Sequence, residues 1–202
     1  MLATYKDTIF VNPPKDFKLK DPKPATFGDM VEFKLVCFSK SDGKKLWETP
    51  IEPGEGWQAG PLPGSHGDEC SCDVPTPCTD GERVYVAFGG SDNKKGLGVL
   101  AAVDYEGKVV WRQELTKEVK GSFEYNLSTS PLFYKNLVVM VLTVGNRGGV
   151  TVAYDCKTGE LKYSEPRPVA PWTGRRHSGG HSSPVPALSK GTPIILYNAI
   201  AA

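Results

Sequence analysis

Short apolar runs broken by polar, glycine-bearing turns fill most of the chain. In "TPCTDGERVYVAF" the turn Asp80-Gly81-Glu82 leads into the apolar run Val84–Phe88. "VLAAVD" (Val99–Asp104) and "KVVWRQEL" (Lys108–Leu115) follow, joined by a turn that contains Gly107. Runs of this length, bounded by turn residues about every ten positions, predict antiparallel β-strands. No stretch sustains the period of a helix. No apolar run approaches the ~20 residues that a membrane-spanning helix needs.

The strands recur as a set. Three segments open on Ser or Thr followed by Pro: "TPCTDGERVYVAF" from Thr76, "SPLFYKNLVVMVL" from Ser130 and "SPVPALSKGTPIILY" from Ser183. Pro77, Pro131 and Pro184 are thus spaced by 54 and 53 residues. Near the N-terminus "TYKDTIFVNP" matches the interior of the same unit, Tyr5-Lys6-Asp7 corresponding to Tyr134-Lys135-Asn136. A second phrase, Gly, three residues, then a large aromatic, falls at Gly43 to Trp47, Gly107 to Trp111 and Gly159 to Tyr163.

Four strands in ~50 residues, repeated in tandem, is the pattern of a propeller blade. The expected fold is all-β: a β-propeller of four-stranded antiparallel blades, incomplete, with about three to four blades present. The expected units are a partial blade at 1–75, blades at 76–129 and 130–182, and a partial blade at 183–202. Trp47, Trp111 and Tyr163 fall on the outer strand, one per blade. A ring that buries ~150–250 Å2 can there cover the face between neighbours, so these three are the expected blade-docking residues.

These phrases carry a resemblance. "AYDCKTGELKY" (Ala153–Tyr163) resembles the A-x-D-x-x-T-G-x-x-x-W motif of the pyrroloquinoline-quinone (PQQ)-like propeller repeat. "VDYEGKVVW" is one residue shorter, and "FSKSDGKKLW" has Ser39 where Asp is usual. "TPCTDGERVYVAFG" resembles the bacterial branch of that family, which includes the outer-membrane assembly lipoprotein. The resemblance implies an exported, periplasmic bacterial protein and a ring of seven or eight blades, roughly 350–400 residues at ~50 each. On that basis the chain is expected to be part of a longer protein, its further blades being partners of those present. Fold does not fix function. PQQ-dependent dehydrogenases use the same repeat and bind the quinone with Ca2+, a stacking Trp and a disulfide between adjacent cysteines. Here no two cysteines are adjacent, and Trp57 and Trp172 stand in loops outside any recognisable cofactor motif.

Composition narrows the classes further. In 202 residues, 24 Lys and Arg face 23 Asp and Glu, a net charge of +1 that gives no footprint for nucleic acid or an anionic membrane. "MLATYKDTIF" shows no basic segment leading into an apolar one, so no signal peptide is visible. Five cysteines (Cys37, Cys70, Cys72, Cys78 and Cys156) are an odd number without a disulfide-framework spacing, which leaves the redox compartment open.

Chemistry in a propeller sits on the loops at the channel mouth. The loops entering the inner strands read "GSHGDECSCDVPTP", "KGSFEYNLSTSP" and "GRRHSGGHSSP". Seven residues before each Pro stand Cys70, Glu124 and His177, all capable of binding a metal such as Zn2+. His66, Cys72, Asp73, Asn126 and His181 lie nearby, and Arg175-Arg176 could hold an anion. A shared polar rim is the favoured alternative to a metal site, because Cys-x-Cys and His-x-x-x-His in loops are weak signals. The expected function is that of a non-catalytic scaffold or binding module whose loop face takes a protein or small molecule. The alternative is part of a quinoprotein dehydrogenase that oxidises an alcohol or sugar with PQQ and Ca2+.

Overall fold

A computed structural model describes residues 2–11, 33–52, 75–91, 96–115, 129–143, 149–167, 183–190 and 192–196. Every regular element of any length among them is a strand. The first sheet holds β1 (Leu2–Tyr5), β2 (Thr8–Val11), β3 (Lys34–Ser39) and β4 (Lys45–Pro50). The second holds β5 (Cys78–Thr79), β6 (Arg83–Ser91), β7 (Gly96–Asp104) and β8 (Val109–Glu114). The third holds β9 (Leu132–Tyr134), β10 (Leu137–Thr143), β11 (Gly149–Asp155) and β12 (Leu161–Arg167). A two-stranded sheet, β13 (Val185–Ser189) and β14 (Thr192–Leu196), ends the series. Each four-stranded sheet is an antiparallel meander in chain order. The first sheet has all four strands, whereas the sequence pattern predicts only a partial unit there. The difference arises because "LATY" pairs with Thr8–Val11 without the Ser/Thr-Pro opening that marks the other units.

The long apolar runs are explained by burial on both faces. On β6, Val84, Val86 and Phe88 join Phe10, Leu35, Cys37 and Ile51 of the first sheet in one core. The alternate residues Tyr85 and Ala87 join Val138, Met140, Leu142, Val150, Val152 and Tyr154 of the third sheet in another. Strand side chains alternate between faces, so a sheet with a neighbour on each side is apolar at every position. The first strands of successive sheets lie side by side, β1 by β5 and β5 by β9. This is a stack of propeller blades about a common axis.

The turns fix the register. Gly43, Gly107 and Gly159 have φ of 70°, 88° and 71°. Only glycine adopts these values without strain, which accounts for the fixed glycine of the repeated phrase. In the second and third sheets an Asp caps the turn. Asp104 Oδ1 accepts from the amides of Glu106 and Lys108, and Asp155 Oδ1 from those of Lys157 and Thr158. In the first sheet Ser39 replaces that Asp, and Asp42 takes over by accepting from the Lys44 amide at 3.2 Å. Hydrogen bonds from Ser39 and Lys44 hold the Asp42 carboxyl below its ordinary value.

Candidate functional site

The loops carrying Cys70, Glu124 and His177 lie outside the described residues, as do His66, Cys72, Asp73, Asn126, His181, Trp57, Trp172, Arg175 and Arg176. Their stems are described, and the stems are tied together. Each loop descends through Ser or Thr and a buried Pro (Pro77, Pro131, Pro184) into the inner strand. The Thr76 amide donates to Ser130 Oγ (2.9 Å), and the Ser130 amide donates to Ser183 Oγ (2.9 Å). A hydroxyl of one unit thus accepts from the same backbone position of the unit before it, which holds neighbouring stems together at one rim. Thr129 adds a buried bond from Oγ1 to the Val141 carbonyl. The recurrence of Ser before Pro was visible in the sequence. Its use as an acceptor across blades was not, because the partner lies 53 or 54 residues away.

The opposite end of the blades is clamped by aromatic rings. There the turn between the third and fourth strands lies beside the turn between the first and second, the Cys156 amide donating to the Asn136 carbonyl. Trp47 stands on β4, Trp111 on β8 and Tyr163 on β12. Trp47 Nε1 donates to the Tyr105 carbonyl (2.8 Å), and Thr49 Oγ1 donates to the Gly107 carbonyl. One blade on, Trp111 Nε1 donates to the Cys156 carbonyl (2.9 Å) and Gln113 Nε2 to the Gly159 carbonyl (2.9 Å). Each indole lies where a β-carbon on the next blade's turn glycine would stand, Trp47 Cδ2 at 3.0 Å for Gly107 and Trp111 Cδ2 at 2.7 Å for Gly159. Tyr163, at the same place in the third sheet, is 49% exposed.

Between these clamps runs a buried polar chain that the sequence pattern did not show. Tyr85 is wholly buried, and its hydroxyl donates to Asp80 Oδ2 (2.6 Å) while also approaching the Cys156 carbonyl (3.3 Å). Asp80 Oδ1 accepts from the amides of Glu82 (2.8 Å) and Arg83 (2.7 Å). Burial alone would raise the Asp80 carboxyl, but the bonds from Tyr85, Glu82 and Arg83 outweigh it and hold it below its ordinary value. Burial, followed by the neighbouring Asp80, pushes the Tyr85 hydroxyl up. Cys78 beside them is pushed up to about 12, chiefly by burial, so its thiol stays protonated at neutral pH and is a poor nucleophile.

Residues 32–199 match the model of a family described as outer membrane protein assembly factor BamB. The chain belongs to this PQQ-repeat family. No curated protein matches it by sequence. Solved structures match at the level of fold. A quinohemoprotein alcohol dehydrogenase from Comamonas testosteroni has TM-score 0.52 and 21% identity over 82% of this chain and 20% of its own. Quinohemoprotein alcohol dehydrogenase ADHIIG from Pseudomonas putida HK5 has TM-score 0.53 and 15% identity over 98% of this chain and 31% of its own. A europium-containing methanol dehydrogenase has TM-score 0.50 and 13% identity over 82% and 24%. The chain spans less than a third of the length of each.

The described residues do not fit a metal or a PQQ–Ca2+ centre. Among them no three His, Cys, Asp or Glu side chains gather where they could hold an ion. Asp80, Asp104 and Asp155 face turn amides rather than a common point. Calcium needs six to eight oxygen ligands, and no cluster of carboxylates among the described residues begins such a set. Among the described residues no helix is long and apolar enough to cross a membrane.

Proposed function

We propose that this chain is a non-catalytic propeller module, a scaffold that presents its loop face to a protein or small-molecule partner in the bacterial periplasm. The observation that carries this reading is the family match across residues 32–199, to a family described by an assembly role rather than by a reaction. The described blades agree with it in character. Their polar side chains at the seams (Thr49, Trp111, Gln113, Ser130 and Ser183) are committed to holding one sheet against the next. Side chains engaged in this way make a rigid base for loops.

A second reading is favoured by the likeness to quinohemoprotein alcohol dehydrogenases: part of a dehydrogenase that oxidises an alcohol or sugar with PQQ and Ca2+. At 21% identity or less that likeness carries fold alone. The two readings part on one assay. Protein incubated with PQQ and Ca2+ is desalted, its visible absorbance recorded, and dye reduction followed with alcohols and sugars. The scaffold reading expects no retained quinone absorbance and no substrate-dependent dye reduction. Retained quinone with substrate-dependent turnover would replace it with the second reading. Zinc analysis of protein purified without chelator tests the Cys70, Glu124 and His177 loops separately; less than about a tenth of an equivalent is expected for a polar rim, against one equivalent for a closed site.

A further inference from the structure

We infer that the Tyr85 hydroxyl is a proton-operated switch at the seam between the second and third sheets: it donates to Asp80 of its own sheet while that carboxyl is ionised, and to the Cys156 carbonyl of the next sheet once the carboxyl is protonated. The observation behind this is one proton between two acceptors. A phenol carries a single O–H, and Tyr85 Oη lies 2.6 Å from Asp80 Oδ2 and 3.3 Å from the Cys156 carbonyl oxygen. The short contact is a bond to a charged acceptor, and the long one exceeds the usual O–H···O range of about 2.5–3.0 Å. With Asp80 ionised the proton therefore stays inside the second sheet. The ring itself is held in place. It is wholly buried, tilted against Trp111 (centroids 5.9 Å apart) and stacked on Phe133 (6.1 Å, 8°), so the choice of acceptor falls to rotation about the C–O bond.

Acid reverses the choice. Asp80 Oδ1 already accepts from the amides of Glu82 and Arg83, so an added proton settles on Oδ2, the oxygen that faces Tyr85. Oδ2–H then donates to Tyr85 Oη, and the Tyr85 O–H turns to the Cys156 carbonyl, whose two lone pairs let it accept from Tyr85 as well as from Trp111 Nε1. One proton enters from water, and one charged bond becomes two neutral bonds in a row. The charged and titratable groups facing Asp80 are Arg83 (Nη1 3.9 Å from Oδ2) and Glu82 of its own turn, Cys78 on β5, Tyr85 on β6, Tyr105 between β7 and β8 and, across the seam, Cys156. Burial pushes the Cys78 thiol and the Tyr85 and Tyr105 hydroxyls up, so these keep their protons in acid. The exposed Glu82 carboxylate lies 3.5 Å from Arg83 Nη1. Asp80 is held below its ordinary value, which places the switch below about pH 3.9. Stability is full above the unfolded value and is lost as pH falls through the folded one, yet the bond across the seam tightens as this happens. The first seam repeats no such arrangement among the described residues. There Trp47 donates to the Tyr105 carbonyl, and the Thr79 and Tyr105 hydroxyls bond to each other at 2.7 Å.

The test follows the carbonyl 13C resonances of the full chain from about pH 7 to about pH 3. A second hydrogen bond moves a carbonyl carbon downfield. The Cys156 carbonyl should move downfield with the midpoint of the Asp80 carboxyl carbon, and the Tyr105 carbonyl at the first seam should not follow it. Tyr85→Phe should abolish the Cys156 response while Asp80 still titrates, and Glu82→Gln should leave that response intact. A measurement at neutral pH guards against a protein that unfolds before Asp80 titrates. In Asp80→Asn the side-chain amide donates to Tyr85 Oη as the protonated acid does, so the Cys156 carbonyl should already stand downfield of wild type and stay there in acid. A Cys156 carbonyl that is flat through the Asp80 titration, a response that survives Tyr85→Phe or vanishes in Glu82→Gln, or equal Cys156 shifts in wild type and Asp80→Asn at neutral pH would overturn the inference.

Discussion

Trp111 and Tyr163 occupy the same place on the outer strands of successive sheets, yet Trp111 is 8% exposed and Tyr163 is 49% exposed. Trp111 is roofed by the turn at Gly159 and donates to the Cys156 carbonyl. The sheet that follows Tyr163 has two described strands, β13 and β14, and no third-to-fourth turn among the described residues to lie over it. Burial of the repeated ring is therefore a property of the seam and not of the strand that carries it. The same holds for the glycines, since Gly159 lies under a ring while, among the described residues, nothing comes within 4 Å of the β-carbon position of Gly43.

Mutations that treat the two rings alike should have unequal effects. Trp111→Ala should cost about 3–5 kcal/mol, as other buried large-to-small changes do, a fall in melting temperature on the order of 10 °C for a chain of this size. Tyr163→Ala should cost about 1 kcal/mol or less. Similar thermal melts for the two variants would erase the distinction between closed and open seams. The glycines sharpen it from the other side. Gly43→Ala carries only the left-handed backbone penalty of about 1–2 kcal/mol. Gly159→Ala carries that and also drives a methyl into Trp111, adding about 1–3 kcal/mol of overpacking. Denaturant midpoints of the two variants measure the gap directly.

Asp80 makes the closed seam sensitive to acid. Its side chain is 8% exposed and its carboxyl is held below the ordinary value in the folded state. A depressed folded value gives stability that is full above the unfolded value of about 3.9 and is lost as pH falls through the folded one. Asp80→Asn cannot accept from Tyr85 in the same way and should cost about 1–3 kcal/mol at neutral pH. The melting gap between wild type and Asp80→Asn should narrow below about pH 4; a gap independent of pH would remove the charge from the explanation. The smallest effect belongs to the rim. Ser130→Ala leaves the Thr76 amide without its acceptor, at about 1 kcal/mol, and should raise hydrogen exchange at Thr76 without changing exchange at the indoles.

The architecture was legible because its signals are local and periodic. The Ser/Thr-Pro openings and the glycine phrase recur at nearly fixed steps, and each glycine answers a backbone demand met within its own turn. The transfer of the turn cap from position 39 to Asp42 was not legible from Ser39 alone, because it depends on how the turn folds back on the Lys44 amide. The Tyr85–Asp80 chain and the Ser130 and Ser183 acceptors were not legible, because each depends on which face of one sheet meets which edge of the next. The exposure of Tyr163 was missed for the same reason, since its sequence context matches that of Trp111 while its roof belongs to another segment. The rim residues Cys70, Glu124 and His177 lie outside the described residues, and their role rests on the loop register alone.

Hydrogen exchange at the Trp111 indole tests the closed seam most directly. With Nε1 donating to the Cys156 carbonyl at 2.9 Å inside a buried interface, its resonance, assigned by loss in Trp111→Phe, should persist in D2O and exchange only through opening of the second and third sheets. Gly159→Ala should speed that exchange. An indole proton that exchanges at the rate of free tryptophan in the folded protein would show that Trp111 is not docked, and would contradict the propeller seam as described.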